Sequence, residues 1–395
     1  MRLAYYPGCS LDATSIEYGM STQRMAKLLG IDLWEIPDWN CCGASSAHQT
    51  NHLLALSLPA RNLAIAEKEG LDTLAPCAAC YNRMRATEYE VRASAKTRSQ
   101  VEEAIGMPFQ ATQNSVSVLE LLAERYGLDN LASKVTKPLK GMTPACYYGC
   151  LLVRPVAITG FDDPEDPQSM DNIMKTLGAS PVDWAFKTEC CGAGLGVTQT
   201  DICLEMTYRI LKNAKDMGAD SIVTACPVCH LNLDMRQKVI EKKYQTEFNL
   251  PVYYVTELVA IACGDEPPTV GTNRHFVDAN AIFRQLPAKA KAMEEAAAQA
   301  SKKGKGAAKA KADKAPAKSE SSETAENADL ALAKKVYDDQ AKAAQLAEIL
   351  AMEPARAAKL EEILEQDKGK ALKVADALLA KKAKEKSAGE EGNKA

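Results

Sequence analysis

Thirteen cysteines stand in a chain of 395 residues, and ten of them follow a repeated pattern. Cys41, Cys42, Cys77 and Cys80 recur as Cys190, Cys191, Cys226 and Cys229, each displaced by 149 positions. Their flanks repeat as well, WNCCGA against TECCGA and LDTLAPCAAC against DSIVTACPVC. Upstream, YYPGC ending at Cys9 matches CYYGC ending at Cys150, displaced by 141. The offset changes by about the length of FDDPEDPQ (Phe161–Gln168), a Pro/Asp-rich stretch found only in the second copy. This is an internal duplication with one loop insertion. Each copy offers five thiols in the pattern C-x(n)-CC-x34-C-x2-C, with n of 31 and 39.

Several chemistries use thiols at such spacings. A lone CxxC suits a thioredoxin-type dithiol, but that site needs no further cysteines at repeated offsets. A structural zinc site takes four thiolates, which leaves one thiol over per copy and gives no reason for adjacent cysteines. Inert burial suits Cys203 and Cys263, which lie in helical stretches and lack counterparts, as does Cys146, opposite Tyr5. An iron–sulfur cluster fits best, because it is held by thiolates and two neighbouring cysteines can reach different irons. Gly43 and Gly192 would then let the backbone pass close to the inorganic core.

These loops need elements to position them. Each copy reads as strand, cysteine loop, helix, strand, double-cysteine loop, helix, strand, CxxC loop, helix. That alternation predicts an α/β fold of two pseudo-repeated domains, each a small parallel sheet flanked by helices. Ligands of such sheets collect beyond the carboxyl ends of the strands, where all the cysteine loops fall. The domains are expected at 1–138 and 139–286. From there the chain turns rich in Ala, Lys and Glu. Residues 287–327 are expected to be a low-complexity, disordered linker, and 328–395 a charged helical tail with apolar residues at helical spacing.

A formal net charge of -4 gives no sign of nucleic-acid binding. We see no secretory signal and no apolar run long enough to cross a bilayer. Many cysteines outside an oxidising compartment point to metal or redox chemistry, so the expected location is cytoplasmic.

With ten cysteines in register, the two repeats resemble the HdrB subunit of heterodisulfide reductase and related cysteine-rich CCG proteins. The resemblance extends to PVYYVTELVAIACG (Pro251–Gly264) and VGTNRHFV (Val270–Val277), and stops before the tail. It implies two noncubane [4Fe–4S] clusters. Cys9, Cys41, Cys42, Cys77 and Cys80 would hold one. Cys150, Cys190, Cys191, Cys226 and Cys229 would hold the other, with Cys146 the alternative to Cys150. The implied activity is reduction of a disulfide, in methanogens the mixed disulfide of coenzymes M and B. Splitting a disulfide takes two electrons, which two one-electron clusters facing each other can supply. No ferredoxin run and no GxGxxG fingerprint for flavin or nicotinamide is present. Electrons are therefore expected from partners, a ferredoxin-like subunit and a flavin-containing subunit. The alternative is an electron-relay subunit of a 2-hydroxyacid dehydrogenase. His230, directly after the second CxxC, and His48, close to the first CC pair, are the candidate proton donors, each weighed against a structural role. His52 is a weaker candidate. Arg83 and Arg154 are candidate contacts for an anionic substrate.

Overall fold

The computed structural model describes residues 1–292, together with 337, 342, 346, 360, 370, 372 and 374–376. Met1–Lys302 forms one compact unit and Lys303–Ala395 a second. In the latter the Tyr337 hydroxyl donates to Asp376 at 2.6 Å. The linker expected at 287–327 lies outside the described residues beyond 292, and so does the tail except at those isolated positions. Residues 280–292 are helical. This helix runs past the change in composition at 286, because Ala and Lys are strong helix formers.

The first repeat builds a parallel sheet of β1 (Arg2–Tyr5), β2 (Asp32–Glu35), β3 (Thr73–Leu74) and β4 (Ser115–Val116), in the order β2-β1-β3-β4. The second builds β5 (Pro144–Tyr147), β6 (Ser221–Thr224) and β7 (Val252–Tyr254), in that order and also parallel. Apart from β2, these strands are almost wholly buried. Parallel strands covered by helices on both faces need this near-continuous burial.

The second copy departs from the expected alternation where β2 would recur. Its segment before Cys190, SPVDWAF, is irregular. In the first copy the Tyr5 carbonyl accepts the Ile36 amide. At the equivalent place the carbonyl of Cys146 accepts the indole N–H of Trp184 at 3.0 Å. A side chain thus satisfies the β5 edge there, so no regular strand is needed at that point. Strand β4 is an addition to the expected pattern. It has two residues, too short a run for alternation to register.

The two repeats exchange their last helices. Val255–Ala262, which follows β7, packs on Ile16–Leu29 of the first repeat, and residues 118–134, which follow β4, pack on Ser169–Thr176 of the second. Across the first contact Tyr18 stacks on Tyr254 with ring centres 4.0 Å apart. The hydroxyls of Ser21 and Thr256 meet at 2.7 Å, and Arg24 binds Asp265 through two nitrogens at 2.6 and 2.8 Å. The result is a pseudo-two-fold unit with one shared hydrophobic core.

That core contains one carboxylate with a consequence for stability. Glu88 is buried, and its Oε1 accepts from the amide and the hydroxyl of Ser115 at 2.7 and 2.5 Å. Its Oε2 has no hydrogen-bond partner. Burial, opposed by Ser115, Arg85 and Arg92, pushes its pKa from 4.5 up to about 7. A raised carboxyl pKa means the native state holds the proton more tightly, so this stability is present below pH 4.5 and is lost as pH rises through 7. Chemical denaturation across that window should show a decline of about 3 kcal/mol attributable to this group. Glu88→Gln should flatten it.

Candidate metal centre

All ten expected cysteines line one cavity of about 400 Å³. It opens beyond the carboxyl ends of the strands. Cys9 follows β1 and Cys150 follows β5, while both CC pairs sit in loops ahead of long helices, His52–Lys68 and Thr200–Asp216. Each CxxC straddles a helix N-terminus. Cys77 and Cys226 occupy the N-cap positions of Ala78–Ala93 and Pro227–Met235, and Cys80 and Cys229 lie in the first turns. The unpaired amides of a helix start favour negative charge there.

The thiols run in a chain. Cys9 and Cys41 lie 3.8 Å apart, Cys42 and Cys80 3.2 Å, and Cys191 and Cys229 3.6 Å. Cys150 pairs with Cys190, and Cys77 donates across the repeat interface to Cys226. The path therefore reads 9–41–42–80–77 and crosses to 226–229–191, and Cys190, next to Cys191 in sequence, carries it on to Cys150. Exposure runs alike in the two repeats: the central thiols are buried, whereas Cys9 and Cys41 are exposed and Cys150 and Cys190 half-buried.

The repeats meet here because the CxxC helix of one holds the first cysteine loop of the other. Asn82 donates to the carbonyls of Leu151 and Arg154 at 3.2 and 2.8 Å. Reciprocally, Pro227–Met235 packs on residues 10–14.

So many thiols in so small a space split their acidities. Hydrogen bonds from Cys41 and Cys80 outweigh burial and hold Cys42 down to about 3. Cys150 and the Gly192 amide lower Cys190 to about 6. Cys226 is held well below the thiol range by Cys229 and Cys77. The partners that donate are driven up, Cys80 by Cys42 and Cys77, and Cys229 by Cys191 and Cys226, with burial adding to each. Thiols held as thiolates beside protonated ones gather negative charge on soft sulfur. A thiophilic cation is the chemical complement of that donor set.

The remaining expectations fall out differently. Cys150 lines the cavity, while Cys146 is buried against Asp171 and is absent from the lining. His230 is also absent from it. Its Nε2 bonds the carbonyl of Val252 at 2.9 Å and its ring stacks on Tyr254, so burial holds its pKa well below 6.5. As a proton donor to the cavity it is misplaced, because the next residue along a helix points about 100° away from Cys229. His48 is exposed in the short helix Ala47–Thr50 and does not line the cavity, and His52 pairs with Glu90 at 2.8 Å. Arg154 bonds Glu165 and Thr188, and Arg83 bonds Asn82; neither lines the cavity. Gly43 and Gly192 have φ of +71 and +74, and an added Cβ would strike Leu58 and Ala47 in one case, Met206 and Cys203 in the other. Their missing side chains make room for the helices behind the loops rather than for the cavity.

Two residues not singled out from the sequence clamp the CC loops. The hydroxyl of Tyr6 donates to the Asn40 carbonyl at 2.9 Å, and that of Tyr147 to the Glu189 carbonyl at 2.6 Å. Both carbonyls lie just before a CC pair. The signal is present in YYPGC and CYYGC, where these tyrosines align. Tyr147→Phe should cost about 1–2 kcal/mol in chemical denaturation, since it leaves a part-buried carbonyl without its donor.

Residues 3–85 and 145–234 match the cysteine-rich CCG domain. Over 283 residues the chain is 31% identical to the HdrB subunit of the ferredoxin:CoB-CoM heterodisulfide reductase of Methanosarcina mazei, covering 70% of this chain and 94% of that one. The chain belongs to the CCG cysteine-rich domain family. Another family relative is the 8-methylmenaquinol:fumarate reductase membrane anchor subunit of Wolinella succinogenes, 35% identical over 71% of this chain and 98% of its own. An HdrB-like protein of Archaeoglobus profundus is 25% identical over 68% and 93%. Among solved structures, a hypothetical protein from Helicobacter pylori shares the fold, with TM-score 0.56 and 13% identity over 70% of this chain and 52% of that one. Among the described residues no helix is long and apolar enough to cross a membrane.

Proposed function

We propose that this CCG protein is the iron–sulfur catalytic subunit of a heterodisulfide reductase-like complex. The observation that carries the reading is the convergence of two five-thiol sets on one cavity, meeting at Cys77 and Cys226. Cys9, Cys41, Cys42, Cys77 and Cys80 would hold one [4Fe–4S] cluster. Cys150, Cys190, Cys191, Cys226 and Cys229 would hold the second, both of noncubane type. When bound, the two clusters would supply the two electrons that split a substrate disulfide into two thiolates, one electron and one iron site for each sulfur.

The chain's own part is positional. The Tyr6 and Tyr147 clamps fix the CC loops, and the Gly43 and Gly192 amides donate to Cys41 and Cys190 at 3.5 and 3.4 Å, opposing the rise that Cys42 and burial impose on Cys41 and helping to hold Cys190 as thiolate. Ala44, Ala78, Ala79, Leu151 and Val228 give the lining an apolar surface that excludes water from a buried S–S bond. Electrons enter from a ferredoxin-like subunit fed by a flavin-containing one, in the cytoplasm.

A second reading is electron relay, favoured by the relative from a fumarate reductase. Here the chain passes electrons between partners and splits no disulfide. The purified complex, given reduced donor and a panel of disulfides that includes the coenzyme M–coenzyme B heterodisulfide, separates the two. Disulfide-dependent donor oxidation supports the first reading. Oxidation by fumarate or a quinone with no response to any disulfide supports the second. Zinc without iron or labile sulfide would end both.

A further inference from the structure

Apart from the thiol cavity, the described residues contain a second group of metal-type donors. His230, Asp234 and His275 each bring one ligand atom to within 4.8 Å of the others. His230 and Asp234 lie four residues apart in Pro227–Met235, and so share a face of that helix. His275 comes from the segment that closes over it, after the turn Thr272–Arg274.

Each donor is already oriented from outside the group. His230 Nε2 bonds the Val252 carbonyl at 2.9 Å, and His275 Nε2 bonds Glu257 Oε1 at 2.9 Å. Asp234 accepts the amides of Phe276 and Val277 at 2.8 and 3.0 Å. Glu257 is held in turn by the Tyr254 amide. Imidazoles that ligate metals show this arrangement, with one nitrogen on a carbonyl or carboxylate and the other free for the ion. The decisive atom is His275 Nδ1. It is buried, its side chain is fully covered, and it has no hydrogen-bond partner. The surroundings are negative, with Glu257, Asp234 and Glu17 all acting on the His275 ring.

We propose that His230 Nδ1, Asp234 and His275 Nδ1 form a site for one divalent transition-metal ion of the zinc class, separate from the thiol cavity. Two imidazoles and one carboxylate match the donor preferences of zinc, and a water completes four-coordination. The ion would tie together the CxxC helix, the strand β7 behind it and the closing segment 270–277. The site belongs to the second repeat alone, since the first has Tyr81 and Arg85 at the positions of His230 and Asp234. It would brace Cys229 from behind without touching substrate.

The test is zinc X-ray absorption on the full chain, purified with zinc chloride and dialysed, alongside Asp234→Asn and His275→Gln. The expected result is about one zinc per chain with imidazole scattering, lost in both variants while their iron and thiol content stays at the wild-type level. Coordination by sulfur alone, imidazole scattering that survives both substitutions, or a chain that retains no zinc would each overturn the proposal. Should the variants fail to fold, cobalt(II) added to the wild-type chain decides. Weak ligand-field bands without a sulfur-to-cobalt charge-transfer band support the site, and charge transfer alone refutes it. None of these readouts depends on disulfide reduction, so this proposal and the functional one can fail separately.

Discussion

Cys42→Ser is expected to remove about half of the chain's iron while leaving the second set of thiols loaded. Cys42 is the hub of the first set, in contact with both Cys41 and Cys80, and its hydrogen bonds with those two neighbours make it the most acidic thiol there. A serine hydroxyl ionises far less readily and binds iron poorly. Its loss breaks the thiol chain between the exposed pair, Cys9 and Cys41, and the central Cys77. Cys191→Ser is the symmetric experiment, removing the bond to Cys229 at 3.6 Å. Because disulfide cleavage consumes two electrons, either variant should lower turnover by at least about 100-fold, more than the 10–100-fold typical of losing an outer partner. Cys203→Ser is the control. Cys203 reaches the Cys191 carbonyl at 3.8 Å and receives Asn232 at 3.4 Å, contacts a hydroxyl can keep. Iron and labile sulfide counts with EPR spectra check all three. Full iron and normal turnover in Cys42→Ser would remove Cys42 from the ligand set.

The ten thiols are legible because duplication wrote them twice, and the constancy of the 149-residue offset separates them from Cys203 and Cys263. Aligning YYPGC with CYYGC on the last cysteine also points to Cys150, which lines the cavity where Cys146 does not. What the sequence hides is three-dimensional adjacency. His230 follows Cys229 directly, yet a helix turns the two apart. The apolar run of Val255–Ala262, broken only by Thr256 and Glu257, points to burial, but not to Ile16–Leu29 of the other repeat as its partner. That exchange, with Asn82 reaching Leu151 and Arg154, is what brings Cys77 against Cys226. The irregular segment before Cys190 imitates a strand because an indole N–H can do the work of a backbone amide, and no pattern of apolar residues reports that substitution.

Gly43→Ala and Gly192→Ala should each destabilise the protein by about 2–4 kcal/mol and cost it iron. Two effects add. A left-handed backbone at φ +71 or +74 disfavours any L side chain by about 1 kcal/mol. The added methyl then has nowhere to go. At Gly43 it would lie 2.6 Å from Leu58 Cδ1 and 2.7 Å from Ala47 Cβ, and at Gly192 3.0 Å from Met206 Sδ and 3.1 Å from the Cα of Cys203. Relieving that overlap in a packed interior typically costs about 1–3 kcal/mol. Gly70→Ala separates the two contributions, since Gly70 has φ of +66 but nothing within 4 Å of an added Cβ. It should lose only the backbone part, about 1 kcal/mol. For a unit of this size the difference should appear as a Tm lower by about 2–5 °C in the CC-loop variants. Iron loss should accompany it only there, because the same shift that relieves Leu58 or Met206 moves the glycine amide off Cys41 or Cys190. If Gly43→Ala matched Gly70→Ala in both Tm and iron, the glycine of the CCG motif would owe its place to backbone conformation alone, and the packing argument for the loop would fall.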